Sequence, residues 1–370
     1  AERFALKQSQ AFVDQMEGFA LELEDELMNF SDVSYKSFVK SESEIITLFY
    51  DKFADIPLLS RMDAVAETFI DEIETLLNRD LPEEERIPLI EKFQKMYETM
   101  DFYVLYNRFL KEEGYQTLPR RPLEKRKLRY EDVYPVLYLK YRLSRQAERS
   151  NIKHLVIDEM QDYSRLQYLI IRRMFSCKMT ILGDRAQTMA DQQQDVLQFL
   201  PGIFGKDLRR IEMRKSYRNT VEIASYAANL IGVTDLELFE RHGMPVLERD
   251  VTDLEAALRE AVDTLFPDEK TYETAAVIVP DEKTAERAYL ILREILAEKD
   301  FDCEKRLSWL NRDSSSFKKG LTVTTFYLAK GLEFDQVFSI FPKDEKREIM
   351  MQAQYIAATR ALHELRVYHI

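Results

Sequence analysis

With only two cysteines in 370 residues, Cys177 and Cys303, the chain has neither a disulfide framework nor a metal-type thiol spacing, and both read as reduced structural residues. The four histidines, His154, His242, His363 and His369, form no HExxH-type cluster, which argues against a transition metal held by protein side chains alone. No apolar run approaches the roughly 20 residues of a membrane span. The polar start, Ala1-Glu2-Arg3-Phe4, lacks the apolar core of a signal peptide, so a cytoplasmic location with no membrane partner is expected. A net charge of −13 argues against coating of nucleic acid by bulk electrostatics and leaves room for a local basic groove, so charge alone decides nothing about partners. Glycine is scarce as well, at nine residues. The one Gly-Lys pair, Gly205-Lys206, is followed by Asp207 and has Leu200 where a GxxxxGK[ST] loop needs its first glycine, so a phosphate-cradling loop is absent.

What is present is a hydrophobic content of 45%, enough for two or three domains with cores of their own. From Ala1 to about Ser150 the apolar residues recur at spacings of three and four, as in Phe12, Met16, Phe19 and Leu23, which predicts helices and few strands. Pro57, Pro82 and Pro88 mark expected helix boundaries, and Leu77 to Pro82 reads as a connection. The basic stretch Arg120 to Lys127 is either a solvated loop or a contact for phosphates or an acidic protein surface.

After Asn151 short apolar strands alternate with helical segments, the pattern of α/β sheets covered on both faces. The expected strands are Leu155–Asp158, Thr180–Leu182, Leu208–Met213, Ala275–Val279, Leu321–Thr325, Gln336–Ile340 and Leu365–His369, enough for two small α/β lobes.

Five segments in this half carry chemistry. The run His154 to Asp162 is an apolar strand ending in adjacent carboxylates, which suits Asp158 to ordering a magnesium shell and Glu159 to polarising an attacking water. In Thr180 to Thr188, a second strand ends in Gly-Asp and reaches Gln187, an amide able to donate to a γ-phosphate oxygen. Lys215 to Thr220 leads into an apolar helix that Asn219 or Thr220 would cap, leaving Arg218 at its start as a phosphate ligand. In Thr324 to Asp335, Gly331 would relax a turn, and Glu333 offers a carboxylate to ribose hydroxyls. In Gln354 to Ala361, Arg360 stands alone among small apolar residues, as an arginine finger would.

In order and spacing these segments resemble motifs II to VI of superfamily 1A (UvrD/Rep-like) DNA helicases. HLVIDEMQDYSRLQY, TILGDRAQTM, YLAKGLEFD and ATRALHEL are most similar to the HelD family of RNA polymerase-associated helicase-like ATPases, and LFYDKFADIPLLSRMDAV in the helical half resembles it more weakly. The resemblance implies an ATP-dependent helicase or translocase that remodels nucleic acid, most simply DNA, or a bound RNA polymerase. It implies ATP and Mg2+ as cofactors, with Asp158 on the metal, Glu159 in catalysis, Gln187, Arg218 and Arg360 at the γ-phosphate, Glu333 on the ribose, and Tyr327 and Lys330 at nucleic acid. Tyr327 departs from the histidine common there in UvrD-type enzymes. The stretch between Arg218 and Thr325 is too short for their large inserted subdomain, so local remodelling is expected over processive unwinding.

The implied fold is α/β: a helical subdomain over 1–150 (a 1B-like insertion), the C-terminal part of a first RecA-like lobe over 151–205, and a second RecA-like lobe over 206–370. Since the phosphate-binding loop precedes the helical region in that family, the chain reads as a C-terminal fragment. It would be inactive alone, with an incomplete first lobe and an open strand edge beside Asp158. The alternatives are a helicase-derived binding module without catalysis and a two-metal nuclease built on Asp158, Glu159 and Asp162, which leaves Arg218, Lys330 and Arg360 without a role.

Overall fold

A computed structural model describes residues 2–145, 151–184, 187, 196–213, 215–233, 237–265, 272–299, 301–312, 314, 319–343 and 348–370. The chain divides into two compact units, Ala1–Gly183 with Gln194–Leu208, and Asp184–Gln193 with Arg209–Ile370.

The first unit runs α1 (Glu2–Gln8), α2 (Gln10–Glu26), β1 (Val33–Tyr35), β2 (Phe38–Lys40), α3 (Glu42–Thr47), α4 (Arg61–Leu77), α5 (Glu83–Gln94), α6 (Phe102–Glu112) and α7 (Tyr130–Leu143). It continues with β3 (His154–Ile157), α8 (Arg165–Met174), β4 (Lys178–Ile181) and α9 (Val196–Phe204). Ser9 starts α2 by accepting a hydrogen bond from the Phe12 amide, and the face carrying Phe12, Met16, Phe19 and Leu23 is buried, as the spacing predicts. Asn78, in the left-handed region at φ 52°, ends α4. Pro82 precedes α5, whereas Pro88 lies inside it rather than at a boundary. There the loss of one backbone bond is offset by Leu89 and Phe93, both buried in the helical core.

The expectation of few strands in this half misses an antiparallel hairpin, β1 with β2, turned through Lys36 at φ 53°. A two-residue turn without Asn-Gly or Asp-Gly carries no sequence signal. Strands β3 and β4 form a separate two-stranded parallel sheet, with Ile157 packed on Tyr168, Val196, Phe199 and Leu200.

The second unit contains β5 (Lys215–Ser216), α10 (Val221–Leu230), β6 (Glu237–Leu238), β7 (Leu247–Asp250), α11 (Leu254–Asp263), β8 (Thr274–Val279), α12 (Glu282–Ala297), α13 (Cys303–Arg306), β9 (Leu307–Trp309), β10 (Gly320–Thr325), β11 (Phe334–Phe341), α14 (Glu348–Thr359) and β12 (Ala361–His369). Six strands form one sheet in the order β7-β12-β11-β8-β10-β9, with every pairing parallel. Side chains alternate between its faces. Val277, Val323, Phe338 and Ile340 pack with residues of α11 and α12, while Ala276, Ile278, Val337 and Phe341 pack with residues of α10 and α14. The α/β class with a parallel sheet covered on both faces is therefore observed.

One expected strand is not observed, and an observed one was not expected. Leu208–Met213 is not a strand: Arg209, Arg210 and Glu212 interrupt its apolar positions, and Ile211 and Met213 are 74% and 87% exposed, so no sheet face receives them. Conversely β7, of sequence LERD, pairs at the sheet edge, where one neighbour suffices and apolar alternation is not required.

Candidate active site

In the first unit the carboxylates follow β3 directly. The register of β3 on β4 continues past both strands, with the Leu182 amide donating to Ile157 O and the Met160 amide to Leu182 O, each at 2.8 Å. Between these bonds the chain turns sharply: Glu159 sits at φ 53° and ψ 52°, a left-handed conformation that costs a non-glycine residue about 1–2 kcal/mol. The Glu159 amide donates to Asp158 Oδ1 at 2.8 Å, and Glu159 Oε2 accepts from Gln161 Nε2 at 2.5 Å.

Gln161 is buried, and its Oε1 lies 2.4 Å from where a Cβ on Gly183 would stand, with the Met160 amide nitrogen at 2.6 Å from the same point. Only glycine at 183 lets the ends of β3 and β4 close around Gln161. Tyr168 Oη donates to Met160 O at 3.0 Å, and burial raises its phenol above the usual range. A capping box of Ser164 with Gln167 then starts α8. Asp158 is exposed and Glu159 half-buried. Among the described residues no group of three or more His, Cys, Asp or Glu side chains is arranged to hold a metal. A single carboxylate at a strand end does fit Mg2+ bound chiefly through nucleotide phosphates and water.

The second unit gathers residues from four sequence segments. Arg360 is buried: Nη2 donates to Gln187 Oε1 at 3.2 Å and Thr359 Oγ1 at 3.1 Å, Nε to Ile356 O at 3.2 Å, and Nη1 to Leu332 O at 3.4 Å. Gln187 Nε2 in turn donates to Asp184 Oδ2 at 2.9 Å, which also accepts from Tyr355 Oη at 2.9 Å. Burial, aided by the Asp184 charge, raises the Tyr355 phenol and keeps it a donor.

Arg218 and Glu333 form an ion pair, Nε to Oε1 at 2.7 Å, with both side chains partly exposed. Asn219 ties this pair to Arg360: its Nδ2 donates to Ala361 O at 2.7 Å and Thr359 O at 3.3 Å, the carbonyls flanking Arg360. Arg241 donates to Arg218 O, and to Leu362 O at 2.7 Å. Thr220, not Asn219, caps α10, accepting from the Ile223 amide at 3.4 Å. The β10–β11 turn passes through Gly331 at φ 80°, with Lys330 Nζ 3.5 Å from Gln187 O and half-buried Tyr327 edge-on to Phe326.

The structure thus joins Gln187, Arg218, Glu333, Lys330 and Arg360 in one unit, places Tyr327 in the same turn as Lys330, and holds Asp158 and Glu159 at a strand end of the other. Gln161, Gly183, Asp184, Asn219, Arg241 and Tyr355 hold these groups in place and were given no such role from sequence. Their local sequence, as in Glu159-Met160-Gln161-Asp162 or Tyr217-Arg218-Asn219-Thr220, carries no pattern that marks such a role.

Residues 6–189 match the UvrD/REP helicase N-terminal domain family. No curated protein matches the chain. Among solved structures, the C-terminal domain of a possible DNA helicase from a Lactobacillus, strain WCFS1, is 24% identical with a TM-score of 0.33, over 42% of this chain and 88% of that one. The PRRSV helicase is 14% identical with a TM-score of 0.33, and Arterivirus nonstructural protein 10 (helicase) 15% identical with a TM-score of 0.32. Each aligns over 72% of this chain, which spans 45% of the first and 50% of the second.

Proposed function

From a UvrD/REP-type helicase domain over residues 6–189, we propose that the protein is part of an ATP-dependent superfamily 1 motor of the HelD kind, coupling ATP hydrolysis to remodelling of nucleic acid or of a nucleic-acid-bound RNA polymerase. The observation that carries the reading is that the Gln187–Arg360 and Arg218–Glu333 pairs lie in one unit and are linked through Asn219, because a binding module needs no such set. Asp158 would hold Mg2+ with the nucleotide, and Glu159 would orient the attacking water. Arg218, released from Glu333, and Arg360 with Gln187, once their mutual bond opens, would meet the γ-phosphate, Glu333 would meet the ribose, and Tyr327 and Lys330 would face nucleic acid. The bound Mg-ATP supplies the transferable phosphoryl group.

The helical subdomain over 1–150, the partial first lobe over 151–205 and the second RecA-like lobe over 206–370 complete the reading. The GxxxxGK[ST] loop is missing from these 370 residues, so its phosphate cradle would come from outside them, and these residues alone would not turn over ATP. That absence also favours a second reading, a helicase-derived binding module for RNA polymerase or nucleic acid.

The test is Mg-ATP hydrolysis by these 370 residues and by a version extended to include a phosphate-binding loop, each with and without single-stranded DNA. Activity of the extended version alone, abolished by Glu159→Gln, is the expected result. No hydrolysis by either version leaves the binding module in its place.

A further inference from the structure

A second surface extends the nucleic-acid part of this reading. Between α6 and α7, the stretch Arg120 to Arg129 carries six cations, Arg120, Arg121, Lys125, Arg126, Lys127 and Arg129, against one acid, Glu124, in a protein of net charge −13. It is a built loop. Leu118 is buried and exchanges hydrogen bonds with the Asn107 side chain, accepting at 3.2 Å and donating at 2.6 Å. Tyr103 Oη donates to Pro119 O at 2.7 Å. Arg126 pairs with Asp101, donates to Arg121 O at 3.0 Å and lies over the Tyr103 ring at 4.8 Å.

The anchors come from α6 and its N-cap and use one of the six cations. The other five are exposed. Beside them Leu123 and Tyr130 are 73% and 67% exposed, and Tyr130 is braced from behind by Phe4, ring centroids 5.4 Å apart. Closely spaced cations on a fixed loop match a chain of phosphates, and a held, exposed ring beside them offers bases a stacking platform. An acidic protein surface would explain the cations but gives the exposed ring no partner of its own.

We propose that the Arg120–Tyr130 loop is a binding surface for single-stranded nucleic acid, with Arg120, Arg121, Lys125 and Lys127 on the phosphates and Tyr130 against a base. The surface rests on the proposed function only for the class of partner. Its test contains no ATP, so a failed hydrolysis assay and a failed binding assay are separate results.

Binding of labelled oligothymidylate and oligouridylate to these 370 residues is followed by fluorescence anisotropy across a salt series, with polyglutamate of similar length as competitor. The quadruple variant Arg120→Ala/Arg121→Ala/Lys125→Ala/Lys127→Ala is expected to bind at least about tenfold more weakly, with a salt slope shallower by about 2–3, since each lost single-strand phosphate contact removes about 0.7. Tyr130→Ala is expected to weaken binding about tenfold without changing the slope. The four cations are exposed, so circular dichroism and Tm of the quadruple variant should not move; Tyr130→Ala loses its ring contacts with Phe4 and Tyr134, so its binding is measured well below its own Tm. Unchanged affinity and slope in the quadruple variant, or no binding by the parent chain at low salt, overturns the proposal. Competition by polyglutamate as effective as by unlabelled oligothymidylate assigns the loop to an acidic protein instead.

Discussion

The six-stranded parallel sheet and the parallel pair β3–β4 invert the usual relation between packing and chemistry. In the six-stranded sheet every residue of β10 is buried and β11 is buried at all positions but one, between helices on both faces. In the pair β3–β4 one residue of eight, Ile157, is buried, and Val156, in an equally apolar run, is 61% exposed. His-Leu-Val-Ile and Thr-Ala-Ala-Val-Ile-Val are both sound strand sequences, so the difference lies in their neighbours: a strand's burial is conferred by the sheet it joins. The sparsely packed pair nevertheless ends in Asp158 and Glu159, and it holds the left-handed Glu159 with one buried amide and one glycine.

That contrast can be broken at its strong end first. Phe338→Ala in β11 should cost about 3–5 kcal/mol in denaturant unfolding of the second unit, because its fully buried ring cannot be replaced by collapse of a close-packed sheet. A loss below about 1 kcal/mol would show that the large sheet is no better packed than the small one. Gly183→Ala should cost about 1–3 kcal/mol through the clash with Gln161 and the Met160 backbone. Hydrolysis by the loop-containing version should fall with it, since the turn carrying Glu159 must shift.

Gln161→Leu keeps the volume but removes the bond to Glu159. Stability should change by about 1 kcal/mol, while, under the role proposed for Glu159, kcat of the loop-containing version drops roughly tenfold with KM little altered. An unchanged kcat would remove Gln161 from the positioning set. Smallest of all, Val156→Thr on the exposed face of β3 should stay within about 0.5 kcal/mol. A much larger loss would mean that this face is covered in solution.

Legibility in the sequence followed the same division. Strand β8 was readable as a continuous apolar run, and β10, β11 and β12 as apolar and β-branched residues interrupted by polar ones. Strand β7 and the β1–β2 hairpin were not, since an edge strand tolerates Glu, Arg and Asp, and a turn through Lys36 has no compositional mark; nor were β5, β6 and β9, too short at two or three residues to show a period. Leu208–Met213 shows the converse error, apolar residues at strand spacing with no sheet to receive them.

The candidate site divided between groups set by local order and groups set by register. Asp158 and Glu159 were visible as strand-end acids, and Gly331 as a turn. Asn219 illustrates the rest: it and Thr220 are interchangeable as caps on paper, and the separation came from Ala361 O, a carbonyl 142 positions away. Likewise Tyr355 and Asp184 find each other across 171 positions, a pairing no local pattern announces.

The interleaving of the two units has a consequence for how the protein is made. Asp184–Gln193 belongs with Arg209–Ile370 but is translated before the last part of the first unit, Gln194–Leu208. A ribosome working at about 5–20 residues per second therefore releases Asp184 and Gln187 on the order of 10–30 s before their partners Tyr355 and Arg360 emerge. During that interval Asp184 and Gln187 lack these two hydrogen-bond partners. Synthesis speed between Gln187 and Arg360 thus sets how long Asp184 and Gln187 wait for these hydrogen-bond partners.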